Sequence, residues 1–117
     1  MKRKKLLVIV DNSIEMPIGK LAREVAGAVT HRVVRNFLNF KWLSTLKWYF
    51  IGMPTIVLKT NDMIALKGKL DNDNHKYISM IDAGITVFNG VPTLTCIALE
   101  ICNYGDEPLI TKSLKLL

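Results

Sequence analysis

The apolar positions of this chain fall into short uninterrupted runs and longer stretches that repeat every three or four residues. Residues 6–10 form an unbroken run, Leu-Leu-Val-Ile-Val, which predicts a strand buried on both faces. Residues 55–60, 77–81 and 93–100 contain β-branched residues at strand-like spacing and predict three further strands. The segment 114–117 is short, and its apolar and charged residues partly alternate, which is compatible with a last edge strand.

Helical patterns separate these strands. The first begins near Gly19 and ends near Asn39, with basic residues such as Arg32 predicted on its outer face. Its inner face is predicted to be apolar: Ala22, Val25 or Ala26, Val29, Val33 and Phe37. An aromatic-rich helix is predicted at 41–51, and a third helix is predicted after Asn61 as its N-cap, with Met63, Leu66 and Leu70 facing inward.

Strands that alternate with helices predict an α/β domain. We expect a three-layer α/β/α arrangement, with a mixed sheet of four or five strands and helices on both faces. The 117 residues, half of them hydrophobic, predict a single domain spanning residues 1–117 with a packed core. The sequence contains no internal repeat and no linker-like segment.

Composition also bears on location and partners. No apolar run approaches the ~20 residues of a membrane span, and the five-residue run at 6–10 is too short for a signal peptide. Cys96 and Cys102 lie in an apolar part of the chain and are expected to be reduced thiols of a cytoplasmic protein.

The charge balance favours a polyanionic partner. Sixteen Lys and Arg against ten Asp and Glu give a formal charge of +6, which suits RNA but specifies nothing alone. Arg32, Arg35, Lys41 and Lys47 either extend a basic face along the helices or form an ordinary solvated helix surface.

Two charged residues stand at positions suited to chemistry. Lys20 lies in the first turn of the first helix, where backbone N–H groups and the helix dipole favour anions. Asp82 ends a strand, where open α/β sheets place ligands, and its carboxylate can orient or deprotonate water. The structural alternatives are a solvated lysine and an aspartate that caps the turn before Gly84.

Three segments in this order resemble the type 2 peptidyl-tRNA hydrolase family. They are MPIGK at 16–20, DAGIT at 82–86 followed by Thr93, and LKLL at 114–117. The corresponding family segments typically read M-G-K-G-K, D-A-G-R-T and L-K-L-L. The resemblance extends over nearly the whole chain.

The resemblance implies hydrolysis of the ester that joins a peptide to tRNA, with no metal or organic cofactor. Peptidyl-tRNA would be held through its RNA backbone without membrane attachment, and a homodimer is plausible. The catalytic positions carried over are Lys20, Asp82, Thr86 and Thr93, the last only if the intervening loop is one residue shorter than usual. The substrate-binding candidates are Gly19, Arg23 and Glu24.

Several positions depart from the family pattern. Glu24 replaces a glutamine and, four residues after Lys20, would compete for its ammonium. Gly27 replaces a histidine, and the other departures are Pro17, Ile18, Ile85 and Val87. These changes keep open two other hypotheses, a non-catalytic ligand- or RNA-binding module on the same fold and a hydrolase of a different acyl ester or amide.

Overall fold

The computed structural model describes residues 3–82 and 90–117. Its helices are α1 (Ile18–Leu38), α2 (Trp42–Phe50) and α3 (Met63–Asn72), with a 3-10 helix at Leu109–Ser113. Its strands are β1 (Lys4–Asp11), β2 (Thr55–Thr60), β3 (Tyr77–Asp82), β4 (Thr93–Leu99), β5 (Cys102–Asn103) and β6 (Lys115–Leu116). Within this described part, no helix is both long and apolar enough to cross a membrane.

The strands form one mixed sheet in the order β3-β4-β1-β2-β6, with β5 paired to the start of β1. β1 and β2 are parallel, whereas β4 is antiparallel to both of its neighbours, β1 and β3. The carboxyl ends of β1, β2 and β3 therefore lie at the same edge of the sheet, together with the start of β4. The mixed sheet confirms the predicted α/β class.

Two apolar layers sandwich the central strand β1, which confirms the three-layer prediction. Leu6, Val8 and Val10 pack towards α1 and α2, together with Ala28 and Trp48. The alternate residues of β1 pack on the other face against the buried side of α3: Leu7 and Ile9, against Met63, Leu66 and Leu70.

Two details differ from the prediction. The sheet gains a sixth strand because the two residues of β5, for which no strand is predicted, pair with Lys4 and Lys5. The cap of α3 is Asp62, not Asn61, because the Asp62 carboxylate accepts a hydrogen bond from the Ala65 backbone N–H at 3.0 Å.

The prediction of which face of α1 is buried was wrong, because the buried row lies one residue before the predicted one. The fully buried residues follow a four-residue spacing and three of them are polar: Glu24, Ala28, Arg32 and Asn36. The predicted Val25, Val29 and Val33 flank this row and are only partly buried. Ala22 and Phe37 are exposed.

Hydrogen bonds explain how two of the three polar side chains, Arg32 and Asn36, occupy this buried row. Arg32 Nη2 donates to the Ala98 carbonyl at 3.0 Å, and Asn36 Nδ2 donates to Thr45 Oγ1 at 3.1 Å. A buried polar group is tolerated when it has such partners, so periodicity of apolar residues alone misplaced Arg32 on the outer face.

Candidate active site

Three predicted site residues meet at the carboxyl edge of the sheet. Lys20 is the third residue of α1, Asp82 is the last residue of β3, and Thr93 is the first residue of β4. Asp82 and Thr93 are direct cross-strand partners. The loop from β1 and the packing of α1 on the sheet bring Lys20 to the same edge, although 62 positions separate it from Asp82.

A β-bulge aims Thr93 at this site. Met80 pairs with Cys96 and Ile81 pairs with Leu94, so Thr95 is the extra residue on β4. Without the bulge, strict alternation would place Thr93 on the α3 side of the sheet, with Ile97. The extra residue shifts the alternation by one, and Thr93 shares the α1 side with Asp82.

Lys20 and Asp82 form a nearly dry ion pair. The Lys20 ammonium donates to Asp82 Oδ1, and the two side chains are only 7% and 8% exposed. Arg23 Nη1 lies 3.7 Å from the same carboxylate oxygen, but its side chain is 69% exposed. Among the described residues, Asp82 therefore has one enclosed cation and one solvent-facing cation beside it.

Glu24 lies beneath Lys20, one turn further along α1. Its Oε1 is 3.7 Å from Lys20 Nζ, and its side chain is 1% exposed. Neither carboxylate oxygen has a hydrogen-bond partner among the described residues. A buried carboxylate left without hydrogen bonds is destabilising, so its attraction to Lys20 is the main favourable interaction that the described residues give it.

Cys96 closes the inner wall behind Glu24. Its thiol donates to the Glu24 backbone carbonyl at 3.5 Å. Burial raises the pKa of the Cys96 thiol to about 11, while the Thr95 hydroxyl opposes this rise and Glu24 adds to it. A neutral thiol here acts as packing, not as a nucleophile.

The start of α1 adds positive potential. Pro17 occupies the N-cap position without a side-chain hydrogen bond to the first turn, so the N-terminal N–H groups have no capping side chain among the described residues. A Cβ added to Gly19 would have no atom within 4 Å. The end of the helix is therefore open on the side of Gly19.

A cleft of about 630 Å³, lined by both apolar and acidic residues, adjoins this helix start. It is lined by the end of β1, the following loop and residues on either side of Lys20, including Asp11, Glu15, Pro17 and Leu21. Its carboxylates make it unsuited to phosphate, since like charges repel.

Three of the remaining predicted positions lie outside the described residues: Thr86, Ile85 and Val87. Gly27 faces β3, where an added Cβ would lie 2.6 Å from Met80 Cε. A histidine at position 27 would therefore displace Met80, which fills the space.

Helix-start and strand-end positions pointed to Lys20 and Asp82, and the family resemblance pointed to Thr93; the structure brings these three together. The bulge at Thr95 and the wall formed by Cys96 were not predicted. Neither residue carries a motif signal. The extra residue becomes visible only when the alternation of inward and outward residues in β4 is compared with the alternation in β3.

Comparison with known proteins agrees with this geometry. The family profile described as "Peptidyl-tRNA hydrolase PTH2" matches residues 4–117. A protein of Saccharolobus solfataricus named "Peptidyl-tRNA hydrolase" is 32% identical over 119 aligned positions, covering 97% of this chain and 98% of the relative. Proteins of the same name from Saccharolobus islandicus strains are 34% identical with the same coverage.

Proposed function

The chain belongs to the peptidyl-tRNA hydrolase family PTH2, and we propose that it hydrolyses the ester between peptide and tRNA through Lys20, Asp82 and Thr93. The observation that carries the residue assignment is the enclosed Lys20–Asp82 pair beside Thr93 at the carboxyl edge of the sheet. Translation is the process that produces this substrate, so we also propose a cytoplasmic location.

Asp82 is the group that activates water. Its carboxylate accepts a proton as water attacks the ester carbonyl. The bond between the carbonyl carbon and the tRNA 3′ oxygen then breaks, and the leaving oxygen takes this proton from Asp82. The Thr93 hydroxyl already donates to the Val91 carbonyl at 2.9 Å. Its oxygen is left as an acceptor, and this acceptor orients the attacking water.

Lys20 stabilises the negative charge that develops on the ester oxygen. The ammonium is held in place before substrate arrives by its ion pair with Asp82. In a nearly dry site, such a preorganised charge stabilises the transition state more strongly than it would in water.

Substrate binding is proposed for the surrounding positions. Arg23, exposed and close to Asp82, contacts a phosphate near the tRNA 3′ end. Gly19 lets the substrate approach the helix start without steric hindrance. Glu24 acts on the substrate through Lys20, since its own carboxylate is buried.

Thr86 is proposed, on the family resemblance, as a second hydroxyl of the site. The cleft beside the start of α1, which Asp11 and Glu15 line, is proposed to receive the peptide.

No observation favours the alternative of a non-catalytic binding module. The departures from the family pattern leave the ion pair and its cross-strand threonine in place.

A homodimer is also proposed. Large apolar side chains are exposed at the end of α1, on α2 and on the adjoining turns, among them Leu38, Phe40, Trp42 and Phe50. Large apolar side chains exposed side by side are typical of a surface that another protein chain covers. We expect Leu38→Asp and Phe50→Asp to yield monomers in light scattering, and a parent that is monomeric at every concentration would exclude the dimer.

The test of function is the release of tRNA from a purified N-acetyl-aminoacyl-tRNA. We expect Lys20→Met and Asp82→Asn each to lower kcat by about 10² to 10⁴-fold, and Thr93→Val to lower it less. Lys112→Met, at an exposed lysine of the 3-10 helix, is the matched control and should keep parental activity.

Circular dichroism must show that each variant is folded. If a folded Lys20→Met or Asp82→Asn variant kept parental turnover, these roles would be wrong. A folded parent without turnover, beside an active control hydrolase, would contradict the hydrolase assignment itself.

A further inference from the structure

We propose that a basic cleft at the far end of α1 binds phosphate groups of the tRNA backbone, at a site separate from the reaction centre. This inference rests on the proposed function, because it assigns a second contact to the same substrate. The cleft has a volume of about 550 Å³. Its walls are the second half of α1, the segment joining α3 to β3, the start of β3 and the residue after β4: Arg32, Arg35, Asn39, Asp71, Lys76 and Glu100 among others.

The cleft has more positive than negative charge. Four cations line it against two carboxylates, and both carboxylates are already engaged. Tyr77 Oη donates to Asp71 at 2.9 Å, and Lys41 Nζ lies 3.3 Å from Glu100. Arg35 and Lys76 form no ion pair with any described residue. An anion that enters the cleft thus meets cations not already paired with a carboxylate.

Arg32 forms the floor of the cleft. Its side chain is 4% exposed, its Nη2 is bound to the Ala98 carbonyl, and its Nε has no hydrogen-bond partner among the described residues. Burial lowers the pKa of Arg32, Glu100 opposes this, and Arg35 lowers it further. A buried guanidinium that is not bound directly to a carboxylate gains more from an incoming anion than a solvated one does.

The position of the cleft suits a long polyanion. α1 and β3 both connect it with the reaction centre, because β3 begins in the cleft at Tyr77 and ends at Asp82. The distance is roughly 17 Å along the five residue steps of β3, and roughly 22 Å along α1 from Lys20 to Arg35. A free phosphate ion needs no such separation, whereas an RNA chain whose 3′ end lies at Lys20 is long enough to reach this cleft. The shared chemistry is phosphate, and the spacing favours tRNA as its source.

The test compares two substrates and two opposite charge changes. Arg35→Gln and Lys76→Gln, both at exposed positions, are combined in one variant, and Glu100→Gln is made separately. We expect the double variant to raise KM for N-acetyl-aminoacyl-tRNA about 10-fold with kcat unchanged. We expect it to reduce the slope of log affinity against log salt by about 1 to 2. Glu100→Gln should lower KM, because it removes a negative charge and releases Lys41.

A minimal substrate separates this site from the reaction centre. An N-acetyl-aminoacyl ester of a short 3′-terminal oligonucleotide cannot reach the cleft, so all variants should hydrolyse it as the parent does. Glu107→Gln, at a carboxylate that pairs with Lys5 and does not line the cleft, controls for the change in net charge made by Glu100→Gln.

Binding of deacylated tRNA, measured without turnover, keeps the two proposals distinguishable. An inactive parent whose tRNA affinity still falls in the double variant would overturn the hydrolase assignment and retain the phosphate site. Equal tRNA affinity and salt slope in parent and double variant would overturn the phosphate site. If inorganic phosphate competed for the cleft while tRNA affinity stayed unchanged in the variants, the ligand would be a free anion, and the tRNA proposal would be wrong.

Discussion

Glu24→Gln removes the charge of a buried carboxylate and keeps its shape. The carboxylate lies 3.7 Å from the Lys20 ammonium, and at an effective dielectric constant of ~20 their attraction is roughly 4 kcal/mol. Burying the carboxylate costs several kcal/mol, and its oxygens gain no hydrogen bond from the described residues. Because these two contributions nearly cancel, we expect the free energy of unfolding to change by less than about 1 kcal/mol.

Catalysis should respond more strongly than stability. An oxyanion bound to Lys20 would lie roughly 6–7 Å from Glu24 and would be repelled by about 1–2.5 kcal/mol at effective dielectric constants of ~20 to ~50. Removing that repulsion should raise kcat roughly 5- to 70-fold. The substitution also restores the glutamine that the family pattern has at this position.

The assay is steady-state hydrolysis of N-acetyl-aminoacyl-tRNA by parent and Glu24→Gln, with unfolding by urea measured in parallel. Glu107→Gln raises the net charge equally, outside the site, and controls for general attraction of RNA. A folded Glu24→Gln protein with kcat tenfold below the parent would refute the reasoning, because Glu24 would then be needed to hold Lys20 in place.

Three further predictions concern the interior. Cys96, with a pKa of about 11, is only about 0.1% thiolate at pH 8. In the native protein it should therefore react with iodoacetamide more slowly than Cys102, whose pKa burial also raises but which is less buried. Rapid labelling of Cys96 at pH 8 would contradict its burial. Gly27→Ala should raise the free energy of unfolding by up to about 1 kcal/mol through helix propensity, because only the flexible end of Met80 must move; a loss above 1 kcal/mol would show that it cannot. Thr45→Val should cost about 1–3 kcal/mol by leaving the buried amide of Asn36 without its partner, and the Asn36→Leu/Thr45→Val double variant should recover part of that loss in urea unfolding.

Local patterns in the sequence were sufficient for the order of the three α-helices and of five of the six strands. Unbroken apolar runs and β-branched residues located β1 and β2, and the spacing of Met63, Leu66 and Leu70 correctly oriented α3. The phase of α1 could not be obtained in this way. Its buried polar side chains depend on partners far along the chain, such as the Ala98 carbonyl for Arg32.

In the candidate site too, some features could be predicted from local patterns and others depend on residues far apart in the chain. A strand end and a helix start are local signals, and they identified Asp82 and Lys20 as candidates. The pairing of Asp82 with Thr93 depends on the extra residue in β4, which becomes visible only when two strands are aligned in space. The role of Thr86 stays a prediction, since it lies outside the described residues.

The polar row of α1 has a consequence for how accurately the reaction centre is assembled. A helix with a purely apolar inner face can turn or slide on a sheet at small cost, but a slip of one residue would rotate α1 by about 100° and shift it by about 1.5 Å. Such a slip would separate Arg32 from the Ala98 carbonyl and Asn36 from Thr45. Hydrogen bonds in the second half of the helix thus fix the position of the lysine in its first turn. Variants that lose one of these bonds should position Lys20 less accurately while the protein is still folded.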